Sequence, residues 1–490
     1  MIKQMTLSLL AAGVLSGCSM APTYKRPDAP VATTYPGREE AAQGTQVANQ
    51  QQAWEIGWRN FFHDPRLQSL IATALENNRD LRVAALRIEE ARSLYDIQWA
   101  DRVPNLDIAA TGQRARVPAS LSTTGNSVVT SNYQVGLSLA SFELDFFGRV
   151  KSLTDAALAQ YLSTEEAQRA AHISLVAEVA QAYLTERAYA EQLVLAQDTL
   201  KSRSDAYELS KQRFEVGASS ALDLRQDQAL LESARVAQTT LARQRAQAWN
   251  ALTLLVGKPL TDLPPAYSLS GQDIVTELPA GLPSDLLIRR PDIRSAEQAL
   301  ISANANIGAA RAAFFPQISL TAGVGTASNA LSGLFDAGSR AWSFAPQLVL
   351  PIFQGGRNIA NLKLSEVRKN IEIANYEKTI QTAFREVADA LVARQLLDEQ
   401  VDAQGKVQAA QAERLKLARQ RFDNGIASSL DVLDAQRELF TAEQDLVQTR
   451  LLRLTNAVDL YRALGGGLVE TTATAEVAPA ATEAAPQTTQ

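Results

Sequence analysis

The chain has 490 residues, a formal net charge of −6, and 46% hydrophobic against 20% charged residues. That length allows more than one domain, and mild acidity without a basic run to meet a phosphate backbone excludes nucleic acid as a partner. His63 and His172 stand far apart with no cysteine or second histidine nearby, and neither a Gly-rich phosphate loop nor a G-x-S-x-G elbow occurs, so no metal site, cofactor or enzymatic activity is expected.

Lys3 and the apolar run Thr6 to Leu15 read as an export signal over residues 1–17, too short to span a bilayer. Leu15-Ser16-Gly17-Cys18 follows, and Cys18 is the only cysteine, so no disulfide forms within one chain. The quartet looks like the lipobox at which bacterial lipoproteins are cleaved and acylated, which makes Cys18 the expected lipidation site. Each buried lipid CH₂ contributes roughly 0.8 kcal/mol of anchoring. Ser19 after the cysteine resembles the outer-membrane sorting choice. Residues 18–66, rich in Pro, Thr and Gln up to about residue 53, read as an extended leader.

A shift of 208 then superimposes two stretches, RFEVGASSALDLRQDQALLE (Arg213 to Glu232) and RFDNGIASSLDVLDAQRELF (Arg421 to Phe440). Gly148-Arg149 falls on Gly356-Arg357 and Glu178-Val179-Ala180 on Glu386-Val387-Ala388, so the chain is a tandem duplication. The expected repeats are 67–257 and 284–465, joined by a Pro-rich connector at 258–283 and followed by a Thr/Ala/Glu/Pro tail, 466–490, expected to be disordered.

In each repeat a pair of alternating segments comes first, at about 104–141 and 316–350. Ile108, Val135, Leu137, Leu320, Trp342 and Phe344 take every second place, with small or polar residues between them. Segments of about ten residues, apolar on one face, are what a membrane β-barrel wall needs. Four such strands cannot close, and an open edge in lipid leaves amides unpaired at several kcal/mol each, so several chains must pool their strands. No apolar run long enough for a transmembrane helix follows the signal.

Long spans without proline come next, from 119 to 258 and from 352 to 478, crowded with helix formers. Each is broken once. Gly217 and Gly425 suit the left-handed residue that ends a helix, while Ser220-x-x-Asp223 and Ser428-x-x-Asp431 have the form of a capping box that starts the next. Each span therefore folds back as an antiparallel helical hairpin, about 149–257 and 357–464. Leu433, Phe440, Val447, Leu454 and Tyr461 recur every seven residues, the period of coiled-coil packing. The arm from Arg225 does not keep this row.

Together with the lipobox, the phrases FELDFFGR (Phe142 to Arg149), LLIRRPDIRSAE (Leu286 to Glu297) and FDNGIASSLDVLDAQRELF resemble the TolC-type outer membrane factors, lipoprotein (NodT-like) branch. The resemblance implies a mainly α fold with transmembrane β. Specifically, it implies a homotrimer whose twelve-stranded β-barrel lies in outer-membrane lipid and continues into a twelve-helix periplasmic α-barrel. It implies a passive efflux conduit for drugs or other small molecules, served by a periplasmic adaptor (membrane fusion) protein and an inner-membrane pump of the RND type. Type I protein secretion is the alternative within the family. A lipid-anchored coiled-coil tether that does not conduct is the alternative outside it, and leaves the alternating strands unexplained.

Carried onto this sequence, the resemblance makes Gly217, Ser219, Ser220, Gly425, Ser428 and Ser429 the adaptor-contacting tip. It makes Leu430, Asp431, Asp434 and Arg437 the periplasmic gate. Leu430 would be an apolar plug, Asp431 and Asp434 would line the constriction, and Arg437 would pair with an aspartate. Three aspartates converging on a narrow pore would favour cations. Asp431 equally suits a plain helix cap. The first copy has Asp223 but Gln226 where Asp434 falls. Phe422 and Ala427 stand where some family members latch the tip with a tyrosine and an arginine, which leaves pairs between Arg213 or Arg421 and Asp223 or Asp423 as candidates.

Overall fold

The computed structural model describes residues 19–35, 52–123, 125–275, 278 and 283–472, apart from the side chains of 283 and 284. The signal, Cys18 with its expected lipid, and the tail from 473 lie outside the described residues. In chain order the helices and strands are α1 (Trp58–Phe61), α2 (Pro65–Asn77), α3 (Arg79–Ala100), β1 (Leu106–Val117), β2 (Val128–Glu143), α4 (Arg149–Glu215) and α5 (Ala221–Val256). Then follow α6 (Pro283–Arg289), α7 (Pro291–Ala312), β3 (Gln317–Ser328), β4 (Arg340–Val349), α8 (Arg357–Asp423) and α9 (Ser429–Ala463). The order helix, strand, strand, long helix, helix occurs twice. α4 and α8 have 67 residues each, about 100 Å at 1.5 Å per residue. The helices that lead into the strands, α3 and α7, are additions to the elements expected from the sequence pattern. α3 buries none of its residues, and the apolar row Val83, Leu86, Leu94 and Ile97 along one of its faces is exposed within this chain.

The chain divides into two compact units. One takes the described residues up to 30, then 84–168 and 292–379. Its sheet runs β1-β2-β3-β4, antiparallel throughout. The central pairing, β2 with β3, joins the two repeats. Ile108, Leu137, Val324 and Trp342 face one another across the four strands and are 80%, 49%, 61% and 80% exposed. The next row, Ala109, Gly136, Gly325 and Ala341, belongs to the opposite face. There a Cβ on Gly136 would run into the Val324 carbonyl, and one on Gly325 into that of Val135. β1 and β4 are the sheet's edges within this one chain.

Glu143, at the end of β2, accepts from Arg149 through Nε at 2.8 Å and Nη2 at 2.6 Å. Asp145 accepts from the Lys151 amide at 2.7 Å at the start of α4. The leader residues lie along α7. The Met20 and Pro22 carbonyls accept from Arg311 and Asn304. Arg26 grips the Glu297 carboxylate at 2.7 and 2.8 Å, and the Tyr24 hydroxyl donates to it at 3.0 Å.

The other unit takes residues 31–83, 169–291 and 380–490 where described. Its core gathers Trp58, Phe61, Leu67, Leu70, Ile71, Tyr183, Leu184, Leu252 and Tyr461, each at most 2% exposed and each worth about 1.5–3 kcal/mol of burial for its apolar part. Phe61 stacks on Tyr461 at 3.9 Å and 7°. Asp64 caps α2 through the Arg66 amide and also accepts from the Tyr183 hydroxyl at 2.6 Å and Gln272 at 2.8 Å. Of the heptad row, Val447, Leu454 and Tyr461 are buried while Leu433 and Phe440 are half-buried. In α5 the buried set is Leu231, Ala234, Leu252 and Val256.

The tail expectation needs correcting at its start. Residues 466–472 are tethered: the Trp58 and Arg59 amides donate to the Val469 and Glu470 carbonyls at 2.9 and 3.0 Å, and Arg59 pairs with Glu470 at 2.7 Å. Gly57 permits this, since a Cβ there would meet the Thr471 backbone at 2.5 Å. Composition alone does not reveal a partner 400 residues away in sequence, here the start of α1.

Candidate functional site

Both helix-to-helix turns belong to the second unit and are built alike. α4 ends before Gly217, φ +76°, where the Ala218 amide donates to Arg213 O at 2.8 Å. α8 ends before Gly425, φ +70°, where the Ile426 amide donates to Arg421 O at 2.9 Å. A left-handed residue is cheap only for glycine, and it satisfies carbonyls the helix end leaves open. Ser220 and Ser428 then open α5 and α9 with complete capping boxes: each serine Oγ accepts from the amide of Asp223 or Asp431, and each aspartate accepts from the serine amide. Hydrogen bonds from the Ser220 side chain, then from its backbone, hold the Asp223 carboxyl below the usual range.

Asp431 is therefore a cap, held by the Ser428 amide and hydroxyl at 3.0 Å each. Asp434, one turn on, has a different set of neighbours. Its Oδ1 accepts from Arg437 Nη2 and its Oδ2 from Arg414 Nη2, both at 2.7 Å. Arg437 also reaches Glu438 at 3.3 Å. The expected pairing of Arg437 with an aspartate is present, and Arg414, on the facing helix, is a member that sequence reasoning missed. Arg414 and Asp434 lie ten residues either side of Asn424, the spacing at which two arms of a hairpin face each other, so the signal was there. Asp434 is thus bridged by two arginines in this chain, where the acidic-ring expectation took it as a bare carboxylate. Among the described residues, neither Arg213 nor Arg421 makes an ion pair with Asp223 or Asp423.

Leu430 is 60% exposed, and its counterpart Leu222 in the first copy 66%. Val216 and Ile426 add apolar surface at 79% and 68%. Ser429 is exposed, and Ser219 is half-buried with its hydroxyl 3.4 Å from Asp223. Each tip thus offers an apolar knob beside serine hydroxyls, a surface suited to docking another protein's side chains. In the hairpin carrying Asp434 the polar rungs between α8 and α9 continue away from the tip, through Arg453–Asp398 at 3.6 Å and Asn456 to the Ala390 carbonyl at 3.0 Å.

Residues 70–258 and again 282–466 match the outer membrane efflux protein family. The chain is 51% identical over 463 residues to outer membrane protein OprJ of Pseudomonas aeruginosa, covering 94% of this chain and 95% of that one. It is 50% identical over 473 residues to the probable efflux pump outer membrane protein TtgC of Pseudomonas putida, covering 96% and 97%. In fold it is similar to the open state of the MtrE outer membrane channel of Neisseria gonorrhoeae, with a TM-score of 0.84 and 44% identity over 93% of this chain and all of that one.

Proposed function

Because the chain belongs to the outer membrane efflux protein family, and is therefore a channel component of the bacterial outer membrane and not one of an enzyme family, we propose that three copies close one passive conduit whose gate is the turn of the second repeat. The observation that carries this is the sheet: four strands, an exposed apolar row on one face, and two edges with unpaired backbone groups. Edges of that kind are not tolerated in lipid, and pairing β4 of one copy with β1 of the next continues the antiparallel order until the wall closes.

In this reading the tips, with Gly217, Ser219, Ser220, Gly425, Ser428 and Ser429, receive a periplasmic adaptor fed by an inner-membrane pump of the RND type. Cys18 carries the lipid. Leu430, Asp431, Asp434 and Arg437 form the gate, with Arg414 as a further member. The bridges Arg414–Asp434–Arg437 hold the hairpin arms in register and mask the carboxylate. An adaptor that binds the rearranged tip better than the resting one shifts the balance to the open state, since equal affinity for both shifts nothing.

Purified protein reconstituted in planar bilayers is the test, with its oligomeric state measured in detergent. Ion-conducting trimers are expected. A monomeric particle, or trimers that never conduct, would discard the reading and favour the tether.

A further inference from the structure

Resting on the gate reading above, we infer that Arg290 is the fulcrum of the second helical hairpin, a positioning residue that sets where its tip is held. Arg290 follows α6 inside LLIRRPDIRSAE and is 7% exposed. Its guanidinium holds both arms of that hairpin, α9 at the end away from the turn and α8 near its middle. Nη1 donates to the Ala463 carbonyl, the last residue of α9, at 2.9 Å, and Nη2 donates to Glu386 Oε2 of α8 at 2.9 Å. Arg462 of α9 reaches the other oxygen of Glu386 at 3.5 Å. A planar fork spans two acceptors in fixed geometry, which an ammonium does not. A cation on the terminal carbonyl also answers the negative end of the helix.

The first repeat builds the same joint without charge. Asn78, at the equivalent place before α3, donates to the Leu255 carbonyl near the end of α5 at 2.8 Å. Glu178, the counterpart of Glu386, is exposed and has neither hydrogen bond nor ion pair among the described residues. An amide thus secures one arm of the first hairpin, whereas a guanidinium secures both arms of the second. The difference falls in the repeat whose tip carries Asp434.

Leverage turns this local difference into a functional one. α9 has 35 residues, so it is about 52 Å long, and a tilt of about 5° at Ala463 moves its far end by about 4.5 Å. A few ångströms at the tip is enough to remake or break the Arg414–Asp434 contact. Fixing the end of α9 against the middle of α8 therefore fixes the resting position of the gate, and loosening it lets the tip drift open.

The experiment compares wild type, Arg290→Asn, Glu386→Gln and Asn78→Ala in planar bilayers and, in cells, by susceptibility to a large glycopeptide antibiotic that an intact outer membrane excludes. Arg290→Asn installs the amide of the first repeat. Glu386→Gln keeps the bond to Ala463, so it reports even where Arg290→Asn fails to assemble. Both are expected to raise the open fraction about tenfold, the shift for one lost charged hydrogen bond, with matching antibiotic sensitivity, while Asn78→Ala leaves the open fraction unchanged. Assembled Arg290→Asn and Glu386→Gln channels with wild-type open fraction overturn the fulcrum, as does an Asn78→Ala channel that leaks equally. A wild type that never conducts sinks the underlying channel reading and the fulcrum with it.

Discussion

Arg414 Nη2 and Asp434 Oδ2 meet at 2.7 Å across the second helical hairpin, and in the first hairpin the places of these residues are taken by Ala206 and Gln226. The duplicated turns differ in chemistry at this place.

Removing that carboxylate should open the channel and alter its selectivity. Asp434 is 37% exposed in its side chain, and Arg414 and Arg437 are 48% and 64% exposed, so each bridge is worth only about 0.2–1 kcal/mol after solvent screening. Asp434→Ala is expected to raise the open fraction about two- to tenfold and to weaken cation preference and block by multivalent cations. Unchanged single-channel selectivity would place the filter elsewhere. Arg414→Ala should reproduce the opening but strengthen cation preference, because it unmasks the carboxylate.

The caps can be tested separately from the gate. Ser428→Ala removes the acceptor for the Asp431 amide and should cost about 1 kcal/mol locally, seen as faster amide exchange over the first turn of α9. Gly425→Ala has open space for its methyl, yet φ of +70° makes it unfavourable by about 1 kcal/mol. Both should weaken adaptor binding in pull-down more than they change conductance, and the opposite order would argue against adaptor docking at the tip.

On the sheet, the face that a residue shares decides the outcome. Val324→Arg puts a charge on the apolar row and should cost about 2–4 kcal/mol in lipid, with loss of membrane insertion on fractionation. Ser138→Arg, on the opposite face, should insert and narrow the conductance. Equal insertion of the two variants would mean the faces are assigned the wrong way round.

Acid should loosen the second unit through His172. Burial lowers its imidazole below the ordinary value of 6.5, and Nε2 is buried without a hydrogen-bond partner. The unfolded chain then binds a proton more readily than the folded one, so this contribution is intact above 6.5 and is lost as the pH falls through the lower folded value. Thermal unfolding in detergent should decline over that window in wild type, and His172→Phe should flatten the decline.

Strand alternation, the proline-free spans and the glycine-serine breaks were legible in the sequence because each is a local rule: period two, helix propensity, and one backbone conformation that only glycine adopts cheaply. So were the four strands, whose order leaves two edges in one chain. The helices α3 and α7 went unrecognised although Val83, Leu86, Leu94 and Ile97 share one face of α3 at helical spacing, because charged residues interrupt that row and none of it is buried within its own chain. The strap at 466–472 was not legible either, since its order comes from amides of Trp58 and Arg59.

The sequence by itself determined the repeated architecture, the membrane-facing strands and the two turns, all set by patterns within some tens of residues. Only the tertiary structure decided what the charged residues do: that Asp431 caps, that Asp434 is bridged by Arg414 and Arg437, and that Arg290 joins Glu386 to the end of α9. A charge acts over a few ångströms, and chain folding, not sequence distance, determines which charges come that close.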